Sequence, residues 1–557
     1  MKNTSFALLI LLSFGILHVS AQTEPAAGNP LFRHLPPDAN QVYQINFPVI
    51  ASKVDWKSIV PGMPMLNATR DPKIAAFIGD PSRAGIDIHR DFFVTLSNSP
   101  GLDSPRYVTI LLPLSDSAKF IRFLKEEDKS GGFTVRPGKI RTAREKNTGF
   151  AWNDKLAVIT FFRPPLREAM GKTGAHPVTR PANNLLSIRR SVVALAGYAR
   201  SPFLTDTLFR DGFSDDADVH VWSSQGSGLS GLMQGLKTLP LPMQANLLNA
   251  AQTLKSGKSR TLGTIRFENG RIVYRNRTPI EPQAAGLMAQ FNSRPLNTDL
   301  INRLPQGRLL GLVTLHIDVN ALLSGLDRYK SRQATDSMLA RMNLTSEELA
   351  KAFAGDLLIA AIGPDKPAAG SPGSDPTGNA SLKPVFYGLV TINDPSSFSK
   401  VSTQLKLFKK DSIPARDSSG EAPGGKAKGH LFHTFRDHIL VFGASQESTD
   451  GFFTNPPRGA SDLVTEAVRD NPVAIVIDLK AVAAWLQASV NPQQTRGKDQ
   501  QALAVLSKLD RISYSGGRLS GNEVESVFEV KMADPGKNSL ASLLELFAQP
   551  RTAPATR

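Results

Sequence analysis

The sequence predicts an α+β chain: two tandem, divergent copies of one unit, each an antiparallel or mixed sheet with helices packed on one face. Three observations predict it. Short runs of strand-forming residues alternate with single periodic stretches, hairpin turns join most of the strands, and one order of features recurs in both halves.

In the first copy, residues 31–292, Leu35-Pro36-Pro37-Asp38-Ala39-Asn40 leads into a strand from Val42 to Phe47 and a helix carrying Val49, Ile50 and Val54. In the second, residues 303–548, Leu304-Pro305-Gln306-Gly307 leads into Leu312 to Ile317 and a helix with Val319, Leu322 and Leu323. Asp91 and the run Phe92 to Leu96 answer Asp356 and Leu357 to Ala360. Tyr107 to Leu111 with the periodic stretch Ala118 to Leu124 answers Tyr387 to Ile392 with Phe398 to Leu405. Hairpins follow around Asn153-Asp154 and Arg436-Asp437; Asn and Asp tolerate positive φ and bond their own backbone. Asp218 to Trp222 then matches Pro472 to Ile477, and each copy closes on a hairpin and a helix, Ala284 to Phe291 and Leu540 to Phe547.

What surrounds the copies is legible too. Residues 1–21 read as a secretory signal: Lys2, an apolar run from Phe6 to Leu17, and the small residues of Val19-Ser20-Ala21 before cleavage at Gln22. That run is too short to span a bilayer, and no later stretch reaches the roughly 18 apolar residues a transmembrane helix needs. Residues 22–30 and 293–302 read as linkers, 364–384 and 409–429 as mobile loops rich in Gly, Pro and Ser, and 549–557 as a disordered tail.

Composition excludes several chemistries. The chain has 557 residues and no cysteine, which removes disulfides, thiolate metal sites and cysteine nucleophiles. The absence of cysteine also removes a lipid-bearing cysteine, so the expected location is the periplasm or the exterior. The net charge of +16 favours anionic envelope partners, namely lipid, lipopolysaccharide or acidic glycan, while export argues against nucleic acid. The charge is concentrated: Arg136 to Arg190 holds twelve basic residues against three acids, whereas the matching Gly420 to Asp470 holds five against seven.

Residues Leu35-Pro36-Pro37-Asp38-Ala39, Lys53-Val54-Asp55-Trp56, Asp80-Pro81, Gly85-Ile86-Asp87 and the tandem layout resemble the Bacteroidetes envelope family catalogued as domain of unknown function 4836. The resemblance implies an envelope location and no activity or catalytic residue. Members of that family often carry an acylated cysteine after the signal; Ser20-Ala21-Gln22 stands here instead.

Candidate sites are few. Arg163, Arg167, Lys172, Arg180, Arg189 and Arg190 follow the first hairpin, where Pro164, Pro165, Pro177 and Pro181 predict an irregular excursion able to present an anion-binding face. His430, His433 and His438 lie close in sequence, but His430 and His433 face opposite sides of a strand, so no metal site is assigned and no cofactor is expected. Asp215, Asp216 and Asp218 lack the alternate spacing and distal glutamate of a calcium loop. Gly226 to Gly235 has the context of an anion-binding helix start, yet its counterpart has no glycines. Asp534 to Ser539 contains a Gly-Lys pair but no upstream glycine, and reads as a turn that caps the last helix. Catalytic motifs such as His-Glu-x-x-His and Gly-x-Ser-x-Gly are missing. Three function classes remain, in this order: non-catalytic binding or scaffolding of an anionic envelope component, carriage of an amphiphile between sheet and helices, and hydrolysis at a site no motif reveals.

Overall fold

The computed structural model describes residues 29–54, 80–98, 106–127, 135, 138–145, 148–163, 181–224, 260–280, 282–291, 296–328, 332–363, 384–404, 432–443, 445–454, 467–469, 471–489 and 497–548. The signal segment 1–21, the loops 364–384 (except Pro384) and 409–429, the tail 549–557 and the glycine run Gly226 to Gly235 lie outside them. The chain is mixed α+β with antiparallel sheet pairing, and divides into two compact units. No helix among the described residues is long and apolar enough to cross a membrane.

The first unit comprises residues 1–227, 258–276 and 534–557. Its strands are β1 (Gln41–Ile45), β2 (Phe92–Asn98), β3 (Arg106–Pro113), β4 (Arg141–Glu145), β5 (Thr148–Trp152), β6 (Leu156–Arg163), β7 (Val219–Ser223) and β8 (Thr261–Glu268), followed by the start of β9 (Arg271–Pro279). Pairing runs β8-β7-β1-β2-β3-β6-β5-β4, antiparallel throughout.

Helices cover both faces of this sheet, not one as the sequence had suggested. On one face Val94, Ile110, Ile159 and Trp152 pack with α1 (Phe47–Ser52), α2 (Ser117–Glu127) and the C-terminal helix (Ser539–Ala548) through Phe47, Phe120 and Leu544. On the other, Val42, Phe93, Leu111 and Val158 pack with α3 (Pro181–Ala196), α4 (Pro202–Thr205) and α5 (Thr207–Asp211) through Leu195, Phe203 and Phe209. The reason is visible in β3, where Ile110-Leu111-Leu112 is a continuous apolar run; a strand with one wet face alternates instead.

The second unit comprises residues 228–257 and 277–533. It holds α6 (Pro282–Phe291), α7 (Asp299–Asn302), β10 (Arg308–His316), α8 (Val319–Arg328), α9 (Arg332–Arg341), α10 (Ser346–Ala352), β11 (Phe353–Gly363), β12 (Val385–Ile392), α11 (Pro395–Gln404), β13 (Phe432–Arg436), β14 (Ile439–Gly443), α12 (Gln446–Thr454), β15 (Val473–Asp478), α13 (Leu479–Ser489), α14 (Gly497–Leu506), β16 (Leu509–Ser520) and β17 (Glu523–Met532). Pairing runs β17-β16-β15-β10-β11-β12-β14-β13, again antiparallel. The inner face packs Leu312, Leu358, Leu389, Val441 and Val476 against α12 and the stretch read as a linker, 293–302, which delivers Leu296, Leu300 and Ile301 to this core. On the opposite face α9, α10 and α11 pack over Val390 and Phe442.

The units do not follow the expected boundary. The helix that closes the first half of the sequence, α6, belongs to the second unit, and the C-terminal helix belongs to the first. Its start is set as the sequence predicts: Asn538 Oδ1 accepts the Leu540 amide at 3.0 Å, and Gly536 N donates to Asp534 Oδ1 at 3.0 Å.

Candidate functional site

The segment that carries most of the charge ends in α3, which begins at Pro181, a residue suited to a first helical position. Its inner side places Ser187, Ser191, Ala194 and Leu195 against the sheet. The approach is close because β5 offers Gly149: a Cβ there would lie 2.3 Å from the Ile188 amide nitrogen. Ser191 Oγ donates to the Gly149 carbonyl and meets Thr160 Oγ1, both at 2.9 Å.

The outer side of α3 is apolar where a surface helix is ordinarily polar. Leu185, Arg189 and Val193 recur every four residues on one face, and Leu186 and Ala196 flank them. Leu185 is 62% exposed, Leu186 47% and Val193 42%, and Arg189 is exposed among them. A grouped set of exposed large apolar side chains marks an interaction surface, where single ones would not.

The six basic residues singled out from sequence therefore separate. Arg189 stands on this outer face, on a helix and not on the irregular excursion expected there. Arg190, on the same helix, is consumed by the fold: its Nη2 lies 2.5 Å from Asp38 Oδ1 and 2.7 Å from Ser97 Oγ, and its guanidinium stacks 4.7 Å from the Tyr107 ring centroid. Arg163 ends β6, opposite Arg106 of β3. Arg167, Lys172 and Arg180 lie outside the described residues.

The acids and histidines are held in pairs. Asp218 accepts from Lys53 Nζ at 2.6 Å and from the Phe267 amide at 2.5 Å, while Arg266 meets both Asp215, at 3.4 Å, and Asp216, at 2.9 Å. Buried His220 lies 2.7 Å from Asp215 Oδ1 and stacks on Phe213. Burial lifts the Asp218 carboxyl above its ordinary range against the pull of Lys53. At Asp215 burial pushes up, but the Ala217 amide, His220 and Arg266 outweigh it and hold the group low. With Asp218 held by Lys53, and Asp215 and Asp216 sharing Arg266, these acids form a structural network, not a calcium loop. His430 lies outside the described residues; His433 sits on β13, its pKa lowered by burial, and His438 in the β13–β14 turn bonds the Ile392 carbonyl at 3.1 Å. Among the described residues no three His, Asp or Glu side chains group as metal ligands.

Two features escaped the sequence. At the ends of β10 and β11, His316 Nδ1 lies 2.6 Å from Asp356 Oδ1 beside a cleft of about 510 Å³. The outer face of the second unit's sheet also carries exposed apolar side chains: Val313, Ile359, Phe386, Ile477 and Phe528, between 36% and 53% exposed. A strand that alternates apolar residues with more apolar residues signals burial on both faces, which is why the exposure was not foreseen.

The sequence matches no family model and no curated protein. Among solved structures it is similar to crystal forms of TP0453. Form I is 10% identical, with 50% of this chain and 89% of that chain covered at a TM-score of 0.25. Form III is 9% identical, with 49% and 87% covered at a TM-score of 0.24. Scores this low bear on neither fold nor function.

Proposed function

We propose that this chain is a non-catalytic, exported envelope protein that binds an anionic lipid surface through its first unit. The outer face of α3 carries the reading: Leu185, Leu186 and Val193 project from a folded unit with Arg189 between them. Apolar side chains in that setting gain burial at the boundary between head groups and acyl chains, and cations beside them gain from anionic head groups. The surrounding sequence supplies the charge, +9 between Arg136 and Arg190. Residues 1–21 support export, and the resemblance to the Bacteroidetes envelope family supports the same compartment. We include in the proposal an origin by duplication. It is supported by the matched pairings, with β1 between β7 and β2 and β10 between β15 and β11.

The test is cosedimentation of the full chain with vesicles of phosphatidylcholine alone or mixed with phosphatidylglycerol. Binding is expected only with the anionic lipid, weakening as salt rises from about 0.1 M to about 1 M and the screening length shrinks. Replacing Leu185, Leu186 and Val193 together by Ser should abolish it with the melting temperature unchanged. Equal binding to both vesicle types, or undiminished binding by the triple variant, overturns the proposal. A second reading, carriage of an amphiphile, is favoured by the open sheet face of the second unit.

A further inference from the structure

The outer face of the second unit's sheet has small residues at its centre among exposed apolar ones. Gly311 of β10 pairs with Ala361 of β11 on one side and Ile477 of β15 on the other, and Ala361 pairs with Phe386 of β12. Paired residues of antiparallel strands share a face, so two small residues lie between Ile477 and Phe386. Two positions along the same strands stand Val313 and Ile359, again on this face. Thus four exposed apolar side chains (Ile477 36%, Val313 37%, Ile359 45%, Phe386 53%) border a floor of Gly311 and Ala361. From β15 to β12 the trough crosses three strand intervals, about 14 Å. On its remaining side the bulged residue Leu310, itself buried, lies over Gly363, and beyond it Arg308, paired with Gly363, is exposed and without an ion-pair partner among the described residues.

The first unit shows what such a face does when the protein fills it. There Val94, Ile110 and Ile159 are at most 5% exposed, covered by α1, α2 and the C-terminal helix. In the second unit helices cover the same face over Val390 and Phe442, while Val313, Ile359, Phe386 and Ile477 around Gly311 and Ala361 stay exposed.

We propose that this trough binds a single-chain anionic amphiphile, with the alkyl chain on Gly311 and Ala361 and the acidic head group at Arg308. The apolar border supplies the chain's burial and the lone guanidinium matches a carboxylate or phosphate. The site is separate from α3, so either can fail without the other.

Displacement of the fluorescent fatty acid cis-parinarate from the full chain tests it. Saturable binding is expected, displaced by palmitate or by lysophosphatidylglycerol; which of them competes better tells whether the head group is a free acid or a phosphodiester. Hexadecanol should compete more weakly. Gly311→Leu fills the floor, and its Cβ would be in ordinary contact with the Val476 carbonyl oxygen, at 3.5 Å. That variant should lose parinarate affinity at least tenfold with unchanged melting, and Ala361→Leu should do the same if Gly311→Leu melts early. Arg308→Gln should remove the preference for acid over alcohol. Absence of saturable binding, or wild-type affinity in both floor variants, overturns the proposal. So does a dimer in sedimentation that Gly311→Leu dissociates, because a second copy would then cover the face.

Discussion

His316 of β10 and Asp356 of β11 face each other across the strand pair and close a hydrogen bond of 2.6 Å between side chains only 1% and 3% exposed. Thr391 of β12 completes the arrangement by donating to the Asp356 carbonyl and meeting its carboxylate, both at 3.4 Å. In the first unit Gln44 of β1 donates to Asp91, just before β2, at 2.5 Å. In each unit an acid, Asp91 just before β2 and Asp356 within β11, thus bonds a polar side chain of the neighbouring strand. Asp356→Ala strips a buried partner and should destabilise the second unit by about 3 kcal/mol. Asp356→Asn retains an acceptor for His316 and should lose less. Amide exchange across β10 and β11 reads the difference; equal protection in Asp356→Ala and the parent would contradict it.

Much of this fold was legible because its signals are local. The strands at Val42, Phe92, Tyr107, Leu312 and Leu357, the turns after Trp152 and Arg436, and the Asn538 cap all follow from neighbours in sequence. Three features were not, because partners distant in sequence decide them. Membership of α6 and the C-terminal helix in opposite units leaves no trace in periodicity. Proline density before Arg189 hid a helix that starts at the last of those prolines. The outer face of β10 reads as buried because Val313 is apolar, yet Val313 and its β11 partner Ile359 are both exposed.

Asp91 gives the first unit a pH dependence of unusual sign. Burial, the largest influence, raises its carboxyl above the ordinary 3.8, and the opposing pulls of Gln44, His220 and Arg90 are smaller. The folded chain then holds a proton that the unfolded chain has released, so this group's contribution to stability falls as pH rises from 3.8 through the folded value. Asp218, also raised by burial, acts in the same direction. Asp91→Asn keeps an acceptor for Gln44 and cannot ionise; its melting temperature should fall less than the parent's over that interval. A parallel pair of curves would show that Asp91 does not titrate on unfolding.

Arg189 and Arg190 are adjacent in a basic run, and charge alone would treat them alike. Geometry separates them. Arg190 is 18% exposed in its side chain, held by Asp38 and Ser97, with Tyr107 beneath its guanidinium. Reversing its charge sets a carboxylate against Asp38 and forfeits both the charge-assisted bonds and the cation–π contact. Arg190→Glu should therefore cost about 2 kcal/mol and lower the melting temperature. Arg189 is exposed on the outer face, so Arg189→Glu should leave melting within error while weakening association with anionic vesicles. Measured side by side, the two variants separate folding from binding. If Arg190→Glu melts like the parent, the Asp38 pair contributes nothing. If Arg189→Glu binds vesicles as well as the parent, the leucines of α3 act without the cation beside them.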